Sequence, residues 1–210
     1  MNLFHPDNPV IRFLSFLFDL ILLNLLFVLS CIPIVTIGAA LSAVYQVLFK
    51  IIDKKSPYIF KGYLTAFKEN FKSATLLWIV IVIIGICAEA ALASIYSDAD
   101  QGMGFLQIPV FLLIFAIASI AVYAFPLLGR YQCGMKQLLK NIFVLSITNI
   151  PATVIIILFP LGILYIASAA KIHIAFVCCI AFVAGCVLTM YPAACVLLRI
   201  FQKYEKRSSL

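Results

Sequence analysis

Charged residues are scarce in this chain of 210 residues. Asp, Glu, Lys and Arg fill only 11% of the positions, whereas apolar residues fill 65%. Soluble domains typically contain about 25% charged and about 45 to 50% apolar residues. The composition therefore excludes a soluble protein. We predict that residues 1–210 form a single integral membrane domain, with no room for a separate catalytic domain.

Motifs of catalysis and ligand binding are absent as well. The sequence has no G-x-x-x-x-G-K-[ST] phosphate loop, no H-E-x-x-H zinc motif and no G-x-S-x-G nucleophile elbow. Its seven cysteines form no C-x-x-C pair, and its two histidines lie far apart in the sequence. We therefore expect no enzyme activity, metal site, cofactor or disulfide framework.

Long apolar runs dominate what is present. Each run long enough to cross ~30 Å of hydrocarbon is read as a spanning helix. The runs predict an all-α, polytopic transmembrane bundle of about six helices, at about 10–32, 35–51, 74–97, 105–129, 142–168 and 172–199. The second run is short enough to be a re-entrant hairpin, which would leave five crossings. In the fifth, Thr148 and Asn149 beside Pro151 predict a polar kink.

The distribution of basic residues predicts how the helices are oriented. Segments 50–72, 130–140 and 199–207 are rich in Lys and Arg, a pattern typical of cytoplasmic loops and of contacts with anionic lipids. With six crossings, 14 of the 15 basic residues fall on one side, all but Lys171. The sequence thus predicts a multi-pass protein of the cell membrane with both termini in the cytoplasm. The net charge of +7 is explained without nucleic acid as a partner.

Segment 57–72 differs from the spanning runs because it is amphipathic. On a period of 3.6 residues, Phe60, Leu64, Phe67 and Phe71 share one face, and the lysines lie elsewhere. This pattern predicts a helix lying on the inner membrane surface, with its aromatic rings among membrane lipids. The alternative is a docking surface for a partner protein.

Two acidic residues lie inside predicted spanning helices, where an ionisable group is a functional hypothesis by default. Asp19 in "SFLFDLILLNLLF" has Asn24 on an adjacent face, and Glu89 in "GICAEAALAS" is surrounded by small residues. The Asp19 carboxyl group could face a cavity and respond to protons or cations, and Glu89, nearer the outer face, could reach an aqueous vestibule. The reading we favour is structural: Asp19, like Asn24, forms a hydrogen bond between helices that fixes their packing, and Glu89 does the same or is a partly exposed acid.

Two stretches carry a family resemblance. "IPIVTIGAALSAVY" after a long apolar helix with an Asn, followed by "LTAFKENFKSATLLWIV", resembles the YesL-like family of small bacterial membrane proteins of unknown function, most specifically from Leu20 to Ile79. The resemblance implies a typically Gram-positive host and genes beside ATP-binding-cassette carbohydrate importers and glycan-degrading enzymes. It assigns no catalytic or binding role to its motif residues, which correspond here to Asn24, Pro33, Thr36, Gly38, Tyr45, Phe67, Lys68, Asn70 and Phe71.

Two functional hypotheses follow. The first is a non-enzymatic accessory or regulatory component of carbohydrate uptake or use, with a sugar importer or another membrane protein as its partner. The second is a small secondary transporter or channel that uses Asp19 and Glu89. The break at Pro33 and Gly38 is either a tight turn between two helices or the tip of a re-entrant hairpin, where Thr36 would contact a substrate. A homo-oligomer through Gly and Ala faces is compatible with both hypotheses.

Overall fold

The computed structural model of the protein describes residues 9–53, 58–97, 107–131, 134–169 and 185–208. It confirms the all-α fold, since these residues form helices and contain no strand. The helices are α1 (Pro9–Cys31), α2 (Ile37–Ile52), α3 (Ile59–Ser97), α4 (Gln107–Arg130), α5 (Met135–Thr148), α6 (Ile150–Ala169) and α7 (Cys186–Ser208).

By length and composition, the described residues contain five helices that could cross a membrane, or six if one bent pair forms a single span. Five helices are long and apolar enough to span a membrane: α1, α2 with the preceding turn, α3, α4 and α7. A sixth crossing requires α5 and α6 to act together, and this pair is bent by 91°. Helices suit this environment because they satisfy every backbone hydrogen bond internally, where lipid offers no partners. The chain is therefore a multi-pass helical membrane protein.

Helix α2 occupies the centre of the bundle. A 3-10 turn at Ile34–Thr36 leads into it, so the predicted segment 35–51 is a turn followed by a helix. None of its residues from Ile37 to Ile52 is exposed, because α1, α3, α4 and α7 pack around it. Its small residues, among them Ala39, Ala40 and Ala43, are fully buried and let the neighbouring helices come close.

Helices α2, α4 and α7 run in the same direction, and their carboxyl ends meet. Gly38 lies beside Phe125 near the middle of the bundle, while Asp53 contacts Arg130 at its end. Arg130 also pairs with Glu205 near the end of α7. We call this end of the bundle the polar end. The three segments whose basic residues predict a common side of the membrane all reach it.

Helix α3 differs from the prediction, which divides it into an interfacial helix at 57–72 and a spanning helix at 74–97. In the structure, residues 59 to 97 form one helix of 39 residues. The reason is a continuous buried stripe that begins at Ile59 and Tyr63 and runs on to Ala74 and Leu77 at helical spacing. Both halves thus pack on the same face, and neither Gly nor Pro interrupts the chain between Gly62 and Gly85.

The last two predicted helices also have different bounds. The fifth, predicted at 142–168, is divided in the structure into α5 and α6, with the break at Asn149. The sixth, predicted at 172–199, extends to Ser208 as α7, and residues 170–184 lie outside the described part of the chain. Buried Leu197, Leu198 and Phe201 extend the apolar contact of α7 toward the polar end.

Candidate functional site

The turn between α1 and α2 is closed by its own hydrogen bonds. The Thr36 hydroxyl lies 2.5 Å from the carbonyl oxygen of Ser30 and 2.7 Å from that of Pro33. The indole N–H of Trp78 in α3 donates to the carbonyl of Ile34 at 2.9 Å. Three carbonyl groups of this turn therefore accept hydrogen bonds from protein side chains, and one of these bonds joins the turn to the middle of α3.

Glycine brings helix backbones into contact at two points along α2. A Cβ atom at Gly38 would lie 2.5 Å from the carbonyl oxygen of Ala74 and 2.6 Å from Cβ of Trp78. A Cβ atom at Gly129 in α4 would lie 2.7 Å from the carbonyl oxygen of Ser42. No larger residue fits at either position without moving backbone, so the α2–α3 and α2–α4 seams depend on these glycines.

Three polar or aromatic motif residues are also packing residues. The side-chain oxygen of Asn24, which is fully buried, accepts a hydrogen bond from the amide of Val187 in α7 at 3.1 Å. The Asn70 amide donates to Gln46 in α2 at 3.0 Å. The ring of Tyr45 is buried beside α2's other core residues. These contacts join α1 to α7 and α2 to α3.

The remaining motif residues, Phe67, Lys68 and Phe71, lie in the first half of α3. Phe67 makes ring contacts with Tyr63 and Phe71, and Phe71 is 39% exposed. Lys68 is exposed. Lys68 and Phe71 therefore face away from the bundle, whereas Phe67 packs against its core.

The two intramembrane carboxylates occupy different environments. Asp19 on α1 is half-buried and makes no hydrogen bond or ion pair with a described residue. Glu89 on α3 is exposed on the outer surface of its helix. Neither of them lines either of the two cavities described below, nor do Asn24 and Thr36.

A charged cluster that the sequence patterns do not predict lies at the polar end, around Arg130 and Glu205. The guanidinium of Arg130 binds both carboxylate oxygens of Glu205, at 3.0 and 3.1 Å, and the Tyr131 hydroxyl donates to the same carboxylate at 2.5 Å. Asp53 lies 3.9 Å from the guanidinium, which also sits 5.9 Å from the ring centre of Phe49. A bidentate pair of this kind is geometrically specific and stronger than a neutral hydrogen bond.

A groove of about 420 Å³ opens beside this cluster. Its lining comes from Leu127 and Tyr131 of α4, from Gln137, Lys140, Asn141, Val144 and Leu145 of α5, and from Phe201, Tyr204 and Glu205 of α7. Burial, together with the hydrogen bond to Glu205, raises the pKa of Tyr131 to about 12, so its phenol is neutral at physiological pH. The groove offers amide, hydroxyl, ammonium and carboxylate groups.

A second cavity of about 460 Å³ lies between α4 and α5. Apart from Ser119 and Ser146, its lining is apolar: Phe115, Ala116, Ile120, Leu139, Ile142, Phe143, Ile147 and Ile150. The described residues contain no group of three or more His, Cys, Asp or Glu side chains that could hold a metal ion. Neither cavity thus shows a metal centre.

The break between α5 and α6 is held by a hydrogen-bonded network. The buried hydroxyls of Tyr123 and Thr153 lie 2.9 Å apart, and Thr153 donates to the carbonyl of Asn149 at 3.0 Å. The Tyr204 hydroxyl donates to Thr148 at 2.8 Å. Polar groups freed at the break are thus satisfied from α4, α6 and α7, which explains how a bend of 91° is tolerated there.

The fold defines a multi-pass helical membrane protein with a closed centre and a charged cluster at one end. Comparison with known families adds one finding: the sequence model of the family described as "Protein of unknown function, DUF624" matches residues 20–89. The match covers the second half of α1, all of α2, and α3 as far as Glu89. No curated protein and no solved structure matches the chain.

Proposed function

We propose that this chain is a non-enzymatic accessory or regulatory membrane protein that works with a carbohydrate uptake or utilisation system. The observation that carries the proposal is the closed centre of the bundle. The backbones of α2, α3 and α4 touch at Gly38 and Gly129, and no residue of α2 is exposed. A transporter needs a hydrated path to its binding site, and this seam leaves no space for one beside α2.

The link to carbohydrates rests on the resemblance to YesL-like proteins. Their genes typically lie beside importers of the ATP-binding-cassette type and glycan-degrading enzymes, and the family match to residues 20–89 supports the resemblance. The partner in this proposal is a subunit of such an importer or another membrane protein of the same system. Both termini of the chain lie in the cytoplasm, as the distribution of its basic residues predicts.

Two measurements test the proposal. Deleting the gene in its host is expected to reduce uptake of at least one carbohydrate, and the wild-type gene is expected to restore it. The purified protein in proteoliposomes is expected to carry no solute flux by itself. Flux by the purified protein, or unchanged uptake of every carbohydrate in a broad panel after deletion, would overturn the proposal.

A small secondary transporter or channel is the second candidate, and the environment of Asp19 favours it. This half-buried carboxyl group has no partner among the described residues, although a buried ionisable group normally has one. Asp19→Asn is the diagnostic variant. A flux that is present in the wild type and lost in this variant would favour transport, whereas no flux in either favours the accessory role.

A further inference from the structure

Three polar side chains of α5 line one side of the groove at the polar end. Gln137, Lys140 and Asn141 all face this groove, and none of them makes a hydrogen bond or ion pair with a described residue. Residues three and four apart on a helix are neighbours, with about 5 to 6 Å between their Cβ atoms. The ammonium group and the two amides can therefore reach one chemical group placed in the groove.

Lys140 supplies the uncompensated charge of this groove. The lining contains one other charged side chain, Glu205, and Arg130 already binds both of its carboxylate oxygens, at 3.0 and 3.1 Å. The Tyr131 hydroxyl donates to the same carboxylate. Asp53, the other acidic member of the cluster, does not line the groove. Because the charge of Glu205 is compensated and that of Lys140 is not, the groove favours an anion.

The groove also has an apolar part. Leu127, Leu145 and Phe201 are buried beneath it, and Val144 lies one helical turn beyond Lys140 on α5. The polar side chains thus occupy the first half of α5, and apolar ones follow along the same face. The volume of about 420 Å³ is that of a small-molecule site. A ligand that fills both parts has an anionic head and an apolar body.

We propose that this groove binds a phosphate ester, with its phosphate on Gln137, Lys140 and Asn141. A phosphate group presents several strong acceptor oxygens, which matches an ammonium group and two amides better than the two oxygens of a carboxylate do. The head group of an anionic phospholipid and a soluble phosphate ester both carry this chemistry. The apolar part of the groove favours the lipid, and basic pockets between membrane helices on the cytoplasmic side bind such head groups.

The first experiment measures binding to the purified protein in detergent by native mass spectrometry. Phosphatidic acid is expected to bind about tenfold or more tightly than diacylglycerol with the same chains, because only the former carries a phosphate. Lys140→Gln is expected to remove most of this preference. Lys136→Gln, which changes an exposed lysine of α5 outside the groove, is expected to keep it. Equal binding of the two lipids, or equal effects of the two variants, would overturn the proposal.

Glycerol 3-phosphate distinguishes the two sources of the phosphate. If the ligand is a lipid, a tenfold excess of glycerol 3-phosphate is expected to leave phosphatidic acid bound. If the ligand is a soluble ester, glycerol 3-phosphate is expected to displace the lipid at equal concentration and to bind less tightly to Lys140→Gln. Both results support a phosphate site. Displacement that does not depend on Lys140 would overturn it.

The second experiment locates the bound lipid with a photoreactive amino acid at Val144 in the groove. Crosslinking to phosphatidic acid at this position is expected to fall about tenfold in Lys140→Gln. The control position is Phe143, which is exposed outside the groove and reports surrounding lipid, so its crosslinking is expected to stay unchanged. Equal dependence of both positions on Lys140 would overturn the proposal. Emission of Trp78, which bonds to Ile34 across the α2–α3 seam, checks that each variant is folded.

The phosphate site goes beyond the proposed accessory role and does not depend on it. None of these measurements involves solute flux or the host. Loss of phosphate binding would leave the accessory role untouched, whereas flux by the purified protein would refute that role without bearing on the groove.

Discussion

Replacing Gly38 by alanine tests whether the α2–α3 seam is closed as tightly as the structure indicates. The added Cβ would lie 2.5 Å from the carbonyl oxygen of Ala74, whereas ordinary contact begins at 3.4 Å. The second neighbour, at 2.6 Å, is Cβ of Trp78. Both atoms belong to rigid parts of α3, so rotation of a flexible side chain cannot relieve the clash and the helices must separate by about 0.9 Å.

The expected cost follows from this separation. Overpacking a filled core typically costs about 1 to 3 kcal/mol. Moving α2 away from α3 also lengthens the hydrogen bonds from Trp78 to Ile34 and from Asn70 to Gln46, now 2.9 and 3.0 Å. In membranes such bonds are worth about 0.6 kcal/mol each on average. We therefore expect Gly38→Ala to destabilise the protein by about 2 to 4 kcal/mol.

The assay uses the fact that Trp78 is the chain's one tryptophan. Unfolding in mixed detergent micelles is followed by its fluorescence, which also reports the loss of its hydrogen bond and of its contact with Phe125. Gly85→Ala is the control, because a Cβ there meets nothing within 4 Å and alanine is the better helix former by about 1 kcal/mol. Equal stability of the two variants, with unchanged Trp78 emission, would refute the tight seam.

Three further predictions concern the polar end and the break. Glu205→Gln is expected to lower the free energy of unfolding by about 1 kcal/mol, because Arg130 loses its bidentate partner. The loss is expected to depend on salt, and thermal unfolding at two salt concentrations measures that dependence. Tyr123→Phe is expected to cost about 1 kcal/mol by removing the buried bond to Thr153, and the distance between spin labels on α5 and α6 checks whether the bend relaxes. The pKa of Tyr131 is raised to about 12 from a usual value of about 10. The protonated phenol therefore stabilises the fold fully below pH ~10, and this stabilisation is lost as the pH rises through 12. The tyrosinate absorbance of the wild type, compared with that of Tyr131→Phe, measures the titration.

The helices could be predicted from hydrophobic runs because lipid imposes a strict length and composition. The predicted segment 10–32 corresponds to α1, Pro9–Cys31, since the apolar run is long and Pro33 ends it. The division of α3 was predicted because an amphipathic pattern next to a spanning run usually marks a surface helix. The same pattern also arises when one face packs on a neighbouring helix, and only the position of α2 distinguishes the two cases.

The charged cluster could not be predicted because its members come together only in the tertiary structure. Arg130 and Glu205 are 75 residues apart, and their contact requires α7 to continue beyond the end of its apolar run. The positive-inside rule uses Arg130 only as a sign of which side of the membrane its segment lies on, and it says nothing about Glu205 as a partner. One signal was available: an acidic residue within the basic segment 199–207 is unusual enough to suggest that it pairs with a cation.

The broken backbone at Pro33 and Gly38 has a structural explanation that also bears on function. Helix α2 must turn sharply after α1 and then lie directly against α3, and Gly38 permits that contact. The family match covers residues 20–89, which include α2 and most of α3, but it ends before Arg130. The matched segment therefore contains the whole α2–α3 seam, including the hydrogen bonds from Asn70 to Gln46 and from Trp78 to Ile34. If proteins with this segment share a fold, the Gly38→Ala variant tests the contact on which that fold depends.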